Sequence, residues 1–295
     1  MKKVVIIGSK GMAGHILYNY YRENTAFDVV DIARGTDFHT PVYQLDVTDF
    51  KGLEQIFKTE KPDVVVNCIG VLNKDAEDHP DKAVLLNSYF PHFLARSGNE
   101  NGFKLIHIST DCVFNGKKGG YTELSAKDGL GFYAETKSLG EVNYGKHLTL
   151  RTSIIGPELK DNGIGLFHWF MQQQGTIKGF RQAYWTGVTT LELTKAIIAA
   201  IDQNIFGLHH LVNGEKINKY DLTTLFKQVF EKNEIQIEPF DMYKVDKSLI
   251  KTNNDFDYVV PSYENMMEQM KDWINQHPDL YKYNSWGSFT PKLNE

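Results

Sequence analysis

The chain has 295 residues, 41% of them hydrophobic, and a formal net charge of -5 at pH 7. That length and apolar fraction suit one large globular domain or a large one with a small one, and the mild charge, spread with no basic block, excludes a protein built to track a nucleic-acid backbone. Cys68 and Cys112 sit in apolar segments without zinc-like spacing, so neither a disulfide framework nor a metal site is expected.

The first element is the β-branched run Val4 to Ile7, a strand suited to burial on both faces and too short for a signal peptide or a membrane span. This reads as a cytoplasmic protein with no membrane association. The strand runs straight into "GSKGMAGHILYNYYREN", which places glycines at 8, 11 and 14 on the first strand-to-helix junction. There they permit a tight turn and close backbone approach, and the helix start offers free N–H groups to a pyrophosphate, so a dinucleotide is the leading ligand. The second strand, "FDVVDIA" (27–33), ends in Ala33-Arg34. A small residue followed by arginine suits the 2′-phosphate of NADP(H), while Asp31, two residues before Ala33, keeps NAD(H) open as a ribose-bonding acid.

Further short strands follow at "VYQLDV" (42–47), "DVVVNCIG" (63–70), "KLIHIS" (104–109) and "HLTLRTS" (147–153), separated mostly by helical stretches. The alternation predicts an α/β fold with a doubly wound, Rossmann-like parallel sheet and right-handed crossovers. In such a sheet the third-strand tip, Asp46 and Val47, and the fourth, Asn67 to Gly70, border the cofactor. After Gly156-Pro157 the rhythm loosens into a helix-like segment around "IGLFHWFMQQQG", a strand at "QAYWTG", helices at "TLELTKAIIAAID" and "KYDLTTLFKQVFEK", and a polar tail. We therefore expect a cofactor domain over 1–157 and a smaller substrate lobe over 158–295, interleaved with it and sharing a cleft. His209-His210 lies in an apolar strand pattern, where packed histidines are expected rather than ligands.

The fifth strand leads into "HISTDCVFNG", and Tyr133 then opens the next helix with Lys137 one turn on. Spacing alone is weak, since chance supplies about one Tyr-x-x-x-Lys pair in such a chain. A second pair, Tyr243 and Lys247, has no comparable strand ahead of it and is assigned to structure. Chemically, a lysine ammonium near a phenol is expected to lower its pKa from about 10 and ready it as a proton donor.

Taken together, Gly8-x-x-Gly11-x-x-Gly14, Asn67, Asn87, Ser109-Thr110-Asp111-x-Val113-Phe114, Tyr121-x-Glu123, Tyr133-x-x-x-Lys137 and Arg151 followed by Gly156-Pro157 resemble an extended short-chain dehydrogenase/reductase. Within that group the chain is most similar to the dTDP-4-dehydrorhamnose reductase branch, strongly over its first half and loosely at the end. The resemblance implies a catalytic triad of Thr110, Tyr133 and Lys137. It implies a cofactor site of Gly8, Lys10, Gly11, Met12, Gly14, Arg34, Asp46, Val47, Cys68, Ile69, Gly70 and Asn87, with Lys137 bonding the nicotinamide ribose. Val71, Asp111, Val113 and Phe114 would face the substrate.

For the substrate's diphosphate and nucleoside, Lys178, Arg181, Gln182 and Trp185 are candidates, because a guanidinium suits phosphate and an indole suits a base or sugar face. Departures from the family pattern at Cys112, at Ala134-Glu135 and in "RQAYWTGVTT" all fall toward the expected sugar. The resemblance thus implies an NADPH-dependent 4-ketoreductase of a dTDP- or UDP-linked 6-deoxy sugar serving cell-surface polysaccharide synthesis, with a homodimer as the candidate assembly. An epimerase or dehydratase of the same fold, or a non-catalytic NADP-binding regulatory subunit, are the alternatives. A dehydratase normally has Thr-Asp-Glu where this chain has Thr110-Asp111-Cys112.

Overall fold

The computed structural model of the protein describes residues 1–283. Its centre is a seven-stranded sheet made of β1 (Lys3–Ile7), β2 (Asp28–Ala33), β3 (Tyr43–Gln44), β4 (Val64–Asn67), β5 (Lys104–Thr110), β6 (Leu148–Thr152) and β7 (Gly207–His210). The spatial order is β7-β6-β5-β4-β1-β2-β3 and every pairing is parallel. The order reverses between β1 and β4, which opens a crevice at the C-terminal strand ends.

Alternation along each strand feeds two cores. Val4, Ile6, Val64, Val66 and Ile106 face α1 (Gly14–Asn24) and the later helices, whereas Val5, Ile7, Val65 and Leu105 face α2 (Phe50–Glu60) and α3 (Phe90–Asn101). Because both faces are covered, each aliphatic side chain leaves water completely and contributes about 1.5–3 kcal/mol. The third strand is shorter than its apolar run suggested. Asp46 accepts the amide and hydroxyl of Thr48 at 2.9 and 2.8 Å, and this turn breaks the ladder before α2. The helix carrying Tyr133, α4 (Phe132–Leu139), packs on a π-helical turn, Val84–Tyr89, that leads into α3.

Beyond residue 157 the chain serves both halves. The helix α5 (Thr190–Asp202) packs on α1, and β7 completes the sheet. The separate lobe is built from Thr176–Phe180 paired in parallel with Gln236–Phe240, from Ala183–Trp185 between Ile217–Asn218 and Val245–Asp246, and from α6 (Lys219–Val229). What reads as a polar tail is not one. Residues Tyr263–Gln276 form α7, capped by Ser262, with Met266, Met267, Met270, Trp273 and Ile274 buried along one stripe of its surface. Residues 284–295 of the expected lobe lie outside the described residues.

Candidate active site

The C-terminal ends of β1, β4, β5 and β6 meet α4 and the lobe in a cleft of about 570 Å³. Its floor is the glycine loop. Gly8 has φ +88°, donates its amide to Ile32 at 2.9 Å, and accepts from Gly11 at 3.0 Å. A Cβ on Gly14 would stand 2.1 Å from the Gly8 oxygen, so only glycine lets α1 start this close to β1. Lys10, Gly11 and Met12 line the cleft above this cradle, as a pyrophosphate site requires.

At the adenosine end the two alternatives separate. Asp31 is wholly buried and accepts from Ser9 Oγ and His39 Nε2 on one oxygen and from the Val42 amide on the other. Such a carboxylate is not available to a ribose. Arg34, the residue after β2, is largely exposed, lies 3.7 Å from Asp46, and neighbours Gly35, whose carbonyl accepts from Lys10. Two cations at this corner suit a 2′-phosphate. At the end of the third strand, Val47 is buried in the core and Asp46 sits beside Arg34 at this corner; like Arg34, neither lines the cleft itself, and the hydrogen bonds from Thr48 lower the Asp46 pKa.

Cys68, Ile69 and Gly70 line the cleft beside Asn67, which accepts the Ile69 amide at 3.0 Å. Asn87 does not line it. Its amide group accepts from Val71 N at 2.8 Å, donates to Val71 O at 2.9 Å, and donates to Thr136 Oγ at 3.2 Å, fastening the loop after β4 to α4. Val71 is buried beneath that loop rather than exposed to a substrate.

Thr110, Tyr133 and Lys137 all reach the cleft. The start of α4 is held from outside: Glu77 accepts the Phe132 and Tyr133 amides, each at 3.1 Å, and Gly131 sits at φ +92° where a Cβ would strike that carboxylate. Lys137 donates to the Ile108 carbonyl at 2.7 Å, which ties α4 to β5. The expected lowering of the phenol by Lys137 is not what the structure shows. Burial, with Cys112 adding to it, pushes Tyr133 upward, and burial pulls the Lys137 ammonium down to about 8. At neutral pH the phenol is thus held protonated, the form that can donate. Burial also drives Cys112 up to about 11 and Cys68 up to about 12, so neither is a ready thiolate.

Behind β5, Ser109 donates to Glu141 at 2.7 Å, and Glu141 takes Arg151 on both oxygens at 2.8 and 2.7 Å. This buried bidentate pair fixes the strand end that carries Thr110. Val113 and Phe114 turn away into a small core with Tyr121, Val212 and Leu249, whereas Asp111 and Cys112 face the cleft.

From the lobe, Trp185 lines the cleft as expected, but its expected companions do not. Lys178 lies over the Phe240 ring at 4.6 Å, Arg181 Nε donates to Asp241 at 2.9 Å, and the Gln182 carbonyl takes the Val245 amide at 3.0 Å. The strand Gln236–Phe240 pairs with Thr176–Phe180, and Phe240 and Asp241 at its end occupy both cations. The lobe residue that brings a cation to the cleft is instead Lys219, the first residue of α6, whose Nζ stands 5.4 Å from the Trp185 ring centre. Among the described residues its ammonium has no hydrogen bond or ion pair, while its carbonyl accepts from Thr223 Oγ at 2.8 Å. Burial lowers its pKa, and Asp111 and Cys112 act in the opposite sense. The second Tyr–Lys pair is not on a helix: Tyr243 is exposed beside Phe180, and Lys247 carries its charge toward Asp111 and Cys112.

Residues 1–254 match the family model of the RmlD substrate binding domain. The chain belongs to that family. It is similar to the dTDP-4-dehydrorhamnose reductase of Salmonella typhimurium, 30% identical over 200 residues, 64% of this chain and 67% of that one. It also resembles the methionine adenosyltransferase 2 subunit beta of Xenopus tropicalis, at 25% identity over 81% of this chain and 75% of the relative. Among solved structures, a dTDP-4-dehydrorhamnose reductase from Bacillus anthracis in complex with NADP superposes with a TM-score of 0.77 at 21% identity, covering 92% of this chain and 99% of that one. The doubly wound sheet is therefore the fold of the family. The family match spans the glycine loop, the Thr110, Tyr133 and Lys137 positions, and Lys219, and ends before α7.

Lys219 was missed by sequence reasoning, although a signal was present. Asn218 caps α6 through the Asp221 amide, so Lys219 puts a positive charge on the positive end of a helix dipole. Asp221 in the same turn offsets part of that charge, so the signal was a faint one.

Proposed function

We propose that this protein is an NADPH-dependent reductase acting on the 4-keto group of a dTDP- or UDP-linked 6-deoxy sugar. The observation that carries the reading is the convergence of the glycine loop, Thr110, Tyr133 and Lys137 on one cleft. When bound, the nicotinamide supplies hydride to the carbonyl carbon. Tyr133 gives its phenol proton to the carbonyl oxygen, and Thr110, whose hydroxyl stands beside that phenol, holds the oxygen in line. The protonated form of Lys137 then favours the phenolate left behind and bonds the nicotinamide ribose. Lys219 and Trp185 take the nucleotide-linked part of the substrate from the lobe side.

The adenosine corner supports NADPH over NADH, since Asp31 is spent and Arg34 and Lys10 are gathered there. It agrees with the NADP in the Bacillus anthracis relative. A second reading, a regulatory subunit, is favoured by the likeness to methionine adenosyltransferase 2 subunit beta. A protein that only binds cofactor has little need of Thr110, Tyr133 and Lys137 together in the cleft.

The deciding experiment follows NADPH oxidation with a small panel of dTDP- and UDP-linked 4-keto-6-deoxy sugars. Stoichiometric oxidation with at least one of them is expected. Conversion without net NADPH consumption would indicate an epimerase or dehydratase, and tight NADPH binding with no turnover on any sugar would leave the regulatory reading.

A further inference from the structure

Two tyrosines at the end of the described chain reach back to the cofactor end of the cleft. Tyr281 and Tyr283 are almost fully buried, and both lie past residue 254, where the family match stops. Trp273, on α7, donates its indole N–H to the Tyr281 oxygen at 3.0 Å. The Tyr281 hydroxyl meets His15 Nε2 at 2.8 Å, and His15 Nδ1 meets the Gly11 carbonyl at 2.9 Å, beside the His15 backbone amide, which donates to the same oxygen at 3.1 Å. An indole nitrogen only donates and a carbonyl only accepts, so both ends of this chain are fixed. A neutral ring with its hydrogen on Nδ1 uses every hydrogen once: tryptophan to tyrosine, tyrosine to Nε2, Nδ1 to Gly11. Burial holds the ring in that neutral form, with a pKa of about 4.

The Gly11 carbonyl belongs to the same peptide unit as the Met12 amide. That unit is planar and trans, so the amide points opposite to the carbonyl. With the oxygen drawn toward His15, the Met12 N–H is turned the other way, and among the described residues it makes no hydrogen bond. It lies just ahead of Ala13, the N-cap of α1. Two residues on, the Tyr283 hydroxyl accepts the Glu158 amide at 2.8 Å and meets His168 Nδ1 at 2.7 Å, and Glu158 lines another wall of the cleft.

We propose that the C-terminal segment is a clasp that positions the cofactor loop, with Tyr281 and His15 as the positioning residues that orient the Gly11–Met12 peptide toward the dinucleotide. The proposal rests on the assignment of the glycine loop to NADPH. Its strength is that both donors and acceptors are accounted for through three buried side chains drawn from opposite ends of the sequence. Neither Tyr281 nor His15 touches the reacting atoms, so their effect falls on cofactor binding.

The test measures NADPH affinity of the full chain by titration, together with steady-state constants, for wild type, Tyr281→Phe and His15→Asn. Tyr281→Phe removes one buried hydrogen bond and frees the ring of His15, and should weaken NADPH about five- to tenfold. The KM for the sugar and kcat at saturating NADPH should stay at wild-type values. His15→Asn can place an amide N–H near the position of Nδ1 and should retain more affinity than Tyr281→Phe. If Tyr281→Phe proves poorly folded, Trp273→Phe, which spares the tyrosine and the histidine, should give a smaller loss confined to NADPH. A wild type that binds no NADPH would sink the cofactor assignment and the clasp with it. A wild type that binds, alongside a folded Tyr281→Phe of equal affinity or one whose losses fall equally on sugar and cofactor, would overturn the clasp alone.

Discussion

The sheet half and the lobe solve the same problem, presenting polar groups to a cleft, in different ways. In the sheet half the groups sit where parallel strands end. Gly8 follows β1, Asn67 closes β4 and Thr110 closes β5, so their convergence follows from the winding of the sheet. In the lobe the strands are short, and the pairing that matters, Thr176–Phe180 with Gln236–Phe240, joins segments far apart in sequence. That pairing occupies Lys178 and Arg181 and leaves Lys219 facing the cleft. A parallel sheet places its site by rule, whereas a small mixed lobe places it by particular contacts.

The largest expected effect breaks the sheet half's chemistry and nothing else. Tyr133→Phe removes the proposed proton donor while keeping its ring, so kcat should fall about 10²- to 10⁴-fold with NADPH affinity nearly unchanged, measured by NADPH oxidation and by titration. Retained turnover would mean that another group supplies the proton. Next comes the lobe's counterpart. Lys219→Met should raise the KM for the sugar nucleotide about 10- to 100-fold, the worth of a charge-assisted hydrogen bond, and leave the NADPH dissociation constant alone. Because burial disfavours the Lys219 ammonium, the melting temperature should not drop. An unchanged KM would remove Lys219 from the substrate site.

Two smaller effects sharpen the cofactor side. Lys137 is charged below about pH 8 and neutral above it, a shift that burial causes. NADPH affinity should therefore hold below pH 8 and fall several-fold over the next unit, whereas an unshifted lysine would keep it flat to about pH 10. A flat profile would separate Lys137 from the cofactor. Arg34→Ala should weaken NADPH about five- to tenfold and NADH hardly at all, since only the former carries a 2′-phosphate. Equal losses would place the determinant elsewhere.

The same contrast explains what the sequence revealed. The runs Val4–Ile7 and Val64–Asn67 are buried on both faces and read as strands, and the glycine spacing reads as a cradle because a Cβ at Gly14 cannot fit. Tyr133 and Lys137 were legible through the strand ahead of them, but the direction of the phenol's shift was not, because burial outweighs the neighbouring ammonium. The early end of the third strand, ahead of Asp46 and Val47, was not legible, because a side-chain turn at Thr48 follows it. The stripe of α7, which carries two adjacent methionines, was hidden among charges and amides, so its burial and its hold on the glycine loop appear only in three dimensions.

The smallest effect is the most direct test of the contrast. Arg181 was a natural choice for a phosphate ligand on chemical grounds, since a guanidinium forks onto oxygens. In the structure both prongs go to Asp241, the pair is about half exposed, and neither residue lines the cleft. An exposed pair of this kind adds little to stability, and it lies away from the cleft that Trp185 and Thr110 line. Arg181→Ala should therefore leave the KM for the sugar, kcat and the NADPH dissociation constant all within about twofold of wild type, the size of an ordinary surface change. A KM loss comparable to that of Lys219→Met would show that Arg181 leaves Asp241 when substrate binds, and the segment 176–185 would then have to move toward the cleft on binding.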